Sequence, residues 1–183
     1  MFQRQLSALA LSALLLSACA TTNGTMSDPI VGGTPEGEIA SIMTAANQGE
    51  IEQGNAASTR ATSADVRSFA QMMVADHTTA LNNARDTFNR AGINPTPNNI
   101  TAALERTSPE TIRNLNTYQG AAFDRMYMQT QVDLHDWLLR ALDTALIPSA
   151  RTPELRTLLQ TQRGSVAAHL EHARRILGGL PRS

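Results

Sequence analysis

The chain has one cysteine, no lysine and no apolar run long enough to cross a bilayer. A single cysteine excludes an internal disulfide framework. The longest apolar run, Leu6 to Leu16, is about 11 residues, whereas a membrane-spanning helix needs about 20. Net charge is −1 at pH 7, from 15 basic and 16 acidic residues. There is thus no basic stripe of the kind a phosphate backbone demands, and no nucleic-acid partner is expected. All 15 basic residues are arginine, which we read as genome composition rather than mechanism. No segment alternates apolar and polar residues with period two, so strands are not expected. A nucleophile elbow and a glycine-rich phosphate loop are missing as well, and no residue is assigned a catalytic role.

What is present begins with an address. Arg4, the apolar run to Leu16, and then Ser17-Ala18-Cys19 follow the layout of a secretory leader. Leu16-Ser17-Ala18-Cys19 resembles a bacterial lipobox, which implies cleavage before Cys19 and lipidation of its thiol. Each buried methylene of an acyl chain contributes about 0.8 kcal/mol, so several chains anchor a protein nearly permanently. Ala20, rather than aspartate, follows the cysteine; in bacterial lipoproteins this implies sorting to the outer membrane. The expected organisation is a signal peptide over 1–18, a lipidated N-terminus and flexible linker over 19–37, and one domain over 38–178. That domain is expected to face the periplasm, held to the membrane by its lipid and open to an envelope protein partner.

The domain reads as all-α. Ile39, Ile42, Ala46, Glu50, Gln53 and Ala57 recur at helical spacing and predict a helix over about 36–60. A second helix opens at Ser63 with Asp65 in its first turn and stops at Gly92. Residues 93–108 read as a connection with one short helix over 100–106. Ser108-Pro109-Glu110 then reads as cap, proline and acid at the start of a long third helix reaching Leu146, with a break near 116–120. Thr152-Pro153-Glu154 carries the same signal for a helix ending at Gly178-Gly179, weakened inside by Gly164. Four amphipathic helices with short turns predict a four-helix bundle made of two hairpins. No sequence duplication between the hairpins is visible.

The inward stripes carry unusual residues: Glu50, His77, His135 and His169, one on each helix. At 1.5 Å per residue all four fall near mid-height. A carboxylate and three imidazoles meeting in a bundle core form a candidate site for one divalent transition metal, Zn, Fe or Cu. Asp76 is a candidate to orient His77 through a hydrogen bond, and His172 is an alternate ligand beside His169. Asp124 is too far along its helix from His135 to share one metal, and reads as a cap or polar contact at the helix break. The bland alternative is a metal-free interaction or structural module, in which the histidines bond backbone or carboxylate groups.

Several stretches resemble a known family. Gly49-Glu50-Ile51-Glu52-Gln53-Gly54, the run Asp65 to His77, Phe123-Asp124 with Tyr127, His135, and His169-Leu170 are similar to domain of unknown function 4142. That family consists of ferritin-like bacterial envelope proteins, and the resemblance covers roughly residues 38–177. It implies a ferritin-like four-helix bundle and marks Glu50, His77, Asp124, His135 and His169 as motif positions, without implying an activity. Di-iron members of the ferritin-like class carry a Glu three residues before each histidine. Val74 and Val166 stand there in this chain, so an oxygen-activating di-iron centre is not expected.

Replacing Cys19 by alanine is expected to abolish incorporation of labelled fatty acid and to leave the leader uncut. Labelling that survives the substitution contradicts the lipobox reading.

Overall fold

The computed structural model describes residues 33–181, which are helical with no strand among them. In order they form α1 (Glu36–Arg60), α2 (Ala64–Ala91), α3 (Asn99–Leu115), α4 (Gly120–Ala141), a π-helical turn (Leu142–Leu146), α5 (Ile147–Ser149) and α6 (Pro153–Gly179). The expected leader, Cys19 and the linker as far as residue 32 lie outside the described residues. The linker's end is tied down, because the Gly33 N–H donates to Ser149 Oγ at 2.8 Å. Among the described residues no helix is long and apolar enough to cross a membrane.

The turn between α1 and α2 shows why the long helices start where they do. Ser63 is the N-cap residue of α2, yet its side chain makes no capping bond. The Asp124 carboxylate does that work from the first turns of α4. It accepts from the N–H groups of Thr62 (3.0 Å) and Ser63 (2.7 Å) and from the Thr62 hydroxyl. Asp124 therefore clamps a turn and takes no part in the histidine cluster. The turn before α6 is built alike: Glu36 accepts from the Arg151 N–H (2.8 Å), the Thr152 N–H (2.6 Å) and the Thr152 hydroxyl (2.6 Å).

These two turns also share a sequence unit. Ala61-Thr62-Ser63-Ala64-Asp65-Val66-Arg67 matches Ala150-Arg151-Thr152-Pro153-Glu154-Leu155-Arg156 in pattern. In each, the arginine donates back to the alanine carbonyl, at 2.8 Å from Arg67 and 2.6 Å from Arg156. The chain thus does carry a short internal repeat. Following the apolar stripes misses it, since the likeness lies in the turns and their carboxylate clamps.

The third helix departs most from expectation. α3 starts at Asn99, where Asn98 Oδ1 accepts from the Thr101 N–H at 2.9 Å, and it runs straight through Pro109. Ser108 caps nothing; it is buried and donates to Glu52 Oε2 (2.9 Å) and the Gly49 carbonyl (3.3 Å). Proline forfeits one intrahelical hydrogen bond, and packing of α3 along α1 offsets that loss. α1 is consequently covered on several sides, with five consecutive residues, Ile39 to Met43, all buried. A one-sided amphipathic helix cannot show that pattern. Gly54 lets α2 come close: a Cβ there would sit 2.9 Å from Val74 Cγ2 and 3.0 Å from the Ala70 carbonyl oxygen.

The expected break falls between Leu115 and Gly120. Arg60, at the end of α1, holds it by donating to the Tyr118 carbonyl (3.0 Å) and to Asn116 Oδ1, with its guanidinium 4.5 Å from the Phe123 ring centre. Gly164 does not interrupt α6.

The core is divided. One apolar cluster gathers Ile39, Ile42 and Met43 with Phe88, Leu142, Leu146, Leu155 and Leu159. The other gathers Ala57, Val66, Phe69 and Met73 with Phe123, Tyr127, Met128 and Ala173. The early residues of α1 and α6 and the late residues of α2 and α4 share the first cluster. α1 and α2 are thus antiparallel, as are α4 and α6, and the segment holding α3 crosses from one end to the other. Between the clusters lies a buried polar layer: Asn47, Glu50 and Gln53 from α1, His77 from α2, Gln131 and His135 from α4, Gln162 and His169 from α6.

Asp124→Ala strands two turn N–H groups and removes hydrogen bonds to an ionised acceptor, each worth about 1.5–3 kcal/mol. Denaturant unfolding should show a loss of roughly 2–4 kcal/mol, and a loss under 1 kcal/mol would contradict the clamp. Gly164→Ala, where a Cβ meets nothing within 4 Å, should gain about 0.5–1 kcal/mol.

Candidate metal centre

His77, His135 and His169 form a nearly equilateral triangle in the polar layer. Their ring centres are 5.9 Å (His77–His135), 5.4 Å (His77–His169) and 5.5 Å (His135–His169) apart. Each offers one ligand atom, and those atoms lie within 4.8 Å of one another. Sheer proximity of imidazoles is not enough; what matters is which nitrogen of each ring carries the proton.

The outward partners decide that. His77 Nδ1 lies 2.9 Å from Asn47 Oδ1, whose own amide nitrogen donates to the Met43 carbonyl at 2.7 Å. The Asn47 oxygen is therefore the acceptor, and His77 Nδ1 must carry its proton. His135 Nδ1 donates to the Gln131 carbonyl at 2.8 Å. His169 Nε2 donates to Asp76 Oδ2 at 3.0 Å. The remaining nitrogens, His77 Nε2, His135 Nε2 and His169 Nδ1, are buried and have no hydrogen-bond partner. Each ring is thus held through one nitrogen by an acceptor, as metal-ligating histidines are, and its other nitrogen is left without a partner.

Burial keeps two of these rings uncharged. It pushes His135 down to about 4, helped by the neighbouring His169, with the Gln131 carbonyl partly opposing. It pushes His77 well below the ordinary imidazole range, helped by His135 and His169. Neutral imidazole is the ligating form, so proton loss does not oppose metal uptake near neutral pH.

The other sequence candidates fall elsewhere. Glu50 is buried, but it is not among the groups within 4.8 Å of one another. The Gln131 amide is its polar neighbour, though neither Glu50 oxygen meets it in full hydrogen-bond geometry. Burial raises its pKa from 4.5 to about 8, with the Gln131 amide offsetting part of the rise. Tyr127 is close enough for Glu50 to push its hydroxyl further up, beyond what burial does. Asp76 orients His169 across the α2–α6 interface, not its neighbour His77, because adjacent helical residues point about 100° apart. His172 lies outside the triangle and meets the edge of Phe69, with centres 5.3 Å apart. Asn47 was missed entirely. Its one signal was a polar residue in the apolar stripe, one turn before Glu50.

A cleft of about 40 Å³ leads to the site between α2 and α6, lined by Asp76, His77, Ala80, Gln162, Ser165 and His169 together with Asn47 and apolar residues. A family model described as Domain of unknown function (DUF4142) matches residues 22–176. The chain belongs to that family. No curated protein and no solved structure matches it. The match spans every member of the histidine triangle and each of the three acceptors behind it, so the layer is part of the DUF4142 domain itself.

In the metal-free DUF4142 domain, Glu50 binds its proton more tightly when folded than when unfolded. Its contribution to stability is complete below pH 4.5 and is lost as pH rises toward 8, with a slope of at most about 1.4 kcal/mol per pH unit. Glu50→Gln should remove that fall, read as unfolding free energy against pH. An unchanged pH profile would contradict the buried, protonated carboxyl.

Proposed function

We propose that this domain binds one divalent transition metal, Zn, Fe or Cu, through His77, His135 and His169. The observation that supports this reading is the grouping of three buried histidines, each offering a ligand atom within 4.8 Å of the others, with one ring nitrogen bonded to an acceptor and the other unpartnered. An apolar core gains nothing from such an arrangement, because each unsatisfied buried nitrogen costs about 1–3 kcal/mol. Nitrogen donors suit Zn, Fe and Cu over Mg or Ca, which prefer oxygen. The ligand set is the three imidazoles, with Asn47, the Gln131 carbonyl and Asp76 as the groups that aim them. Glu50 lies in the same buried layer but outside the three-histidine group.

The antiparallel pairs α1–α2 and α4–α6, joined by a crossover that carries α3, are what a ferritin-like four-helix bundle requires. We read the domain as that bundle with α3 added against α1. Together with the lipobox-like Cys19, the reading is of a metal-binding lipoprotein domain tethered to the outer membrane and facing the periplasm.

Elemental mass spectrometry on untagged protein from Ala20 onward should find close to one metal per chain, lost in His135→Ala. Asp76→Ala leaves all three ligands in place and should weaken the metal about 10–100-fold. Protein that stays empty after exposure to Zn, Fe and Cu would refute the proposal and favour the metal-free interaction module.

A further inference from the structure

The cleft between α2 and α6 has a polar rim and an apolar floor. Asp76 and Ser165 stand exposed at its rim. The buried Met43, Ala46, Leu138 and Val166 line it as well, and all four belong to the first apolar cluster. Between rim and floor it borders Asn47, His77, Ala80, Gln162 and His169.

The polar side chains along the cleft are already engaged. Asn47 accepts from His77 Nδ1 and donates to the Met43 carbonyl. His169 Nε2 donates to Asp76 Oδ2 at 3.0 Å, and Gln162 Nε2 donates to the Ala80 carbonyl at 3.3 Å. The atoms left over, His77 Nε2, His169 Nδ1 and Gln162 Oε1, are closed off even from a molecule the size of water. Below its rim the cleft therefore presents ring carbon and alkyl groups, and no unpartnered polar atom. A water is held there only with about two to four polar partners, and an ion costs more still to desolvate. Size sets the other limit. One water needs about 10–15 Å³ of such space, and benzene occupies apolar cavities of about 150 Å³. A cleft of about 40 Å³ lies between the two and is too small for an aromatic ring.

We propose that this cleft takes up a neutral, apolar molecule of two or three heavy atoms, of the size and polarity of a dissolved gas. Removing its surface from water against Met43, Ala46, Leu138 and Val166 supplies the attraction. The volume excludes larger hydrocarbons. The occupant touches His77 and His169 on ring carbon, on the side of their acceptors Asn47 and Asp76. It takes no place among the three unpartnered ring nitrogens, so the site is separate from the metal reading and does not depend on it.

Xenon, which enters dry apolar cavities, is the probe, and methyl carbon–proton NMR of the purified, metal-free full chain is the readout. Under rising xenon pressure the methyls of Met43, Ala46, Ala80, Leu138 and Val166 should shift with saturation. Those of Ala57, Val66 and Ala173, in the other apolar cluster, should move at least threefold less. Azide, small but charged, and benzene, apolar but larger, should leave the cleft methyls unmoved. Ala80→Leu fills the cleft from a half-buried position and should weaken xenon at least tenfold. Ala80→Val is the smaller change, and unaltered methyl shifts at Ala57 and Ala173 check that either variant is folded. Equal xenon shifts in both clusters, or saturating shifts that survive in both variants, overturn the site. Saturating azide shifts overturn its polarity, and benzene shifts overturn its size limit. With no metal present, every one of these failures leaves the three-histidine ligand set standing, so the two proposals fail separately.

Discussion

Everything in this domain is arranged around a polar layer that splits its core. Packing amide and imidazole groups between two apolar clusters is costly unless each polar atom is paired. On the outer side the pairing is complete for the histidines: an amide oxygen, a backbone carbonyl and a carboxylate each take one N–H. On the inner side it is not. Among the described residues, ten buried side-chain nitrogen and oxygen atoms lack a hydrogen-bond partner, all in or beside this layer. They are concentrated in the middle stretch of the bundle instead of being scattered through the core. The same low dielectric that makes unpaired groups costly would strengthen their hold on a cation.

The rest of the fold keeps the layer in register. His77 and His169 sit on α2 and α6, and the starts of both helices are fixed by carboxylates from the opposite hairpin, Asp124 and Glu36. A helix clamped at its start carries its later residues at set heights, since the rise per residue is constant. The histidines thus meet because their helices begin in the right places. α3 contributes by covering α1, which lets α1 place Asn47, Glu50 and Gln53 inside without needing a solvated face there. Gly54 adds the close α1–α2 contact that brings Asn47 within reach of His77.

Much of this was legible in the chain. Helical stripes located α1, α2 and α6 almost to the residue, because strong periodicity and Gly or Pro punctuation coincide there. The same stripes placed His77, His135 and His169 inward at one height. Ser108-Pro109 misled, since a capping pair and a buried hydroxyl-plus-proline pair look identical until the neighbouring helix is known. Glu50 shared the stripe but not the cluster. Periodicity gives the face of a residue, and a reach of one turn decides whether it is a ligand. Asp76 and Asn47 act across helix interfaces, which no single-helix pattern encodes. The turn repeat around Arg67 and Arg156 was visible in the letters and went unseen because it does not follow the apolar period.

The central claim is that each of the three imidazoles bonds outward through one nitrogen and leaves the other without a hydrogen-bond partner, and nitrogen NMR of the metal-free protein near pH 7 tests it most directly. Long-range proton–nitrogen correlations report which ring nitrogen of each histidine carries hydrogen. The account predicts a mixed pattern, with the proton on Nδ1 for His77 and His135 and on Nε2 for His169. Imidazolium at His77 or His135, or a proton on His135 Nε2, would contradict it.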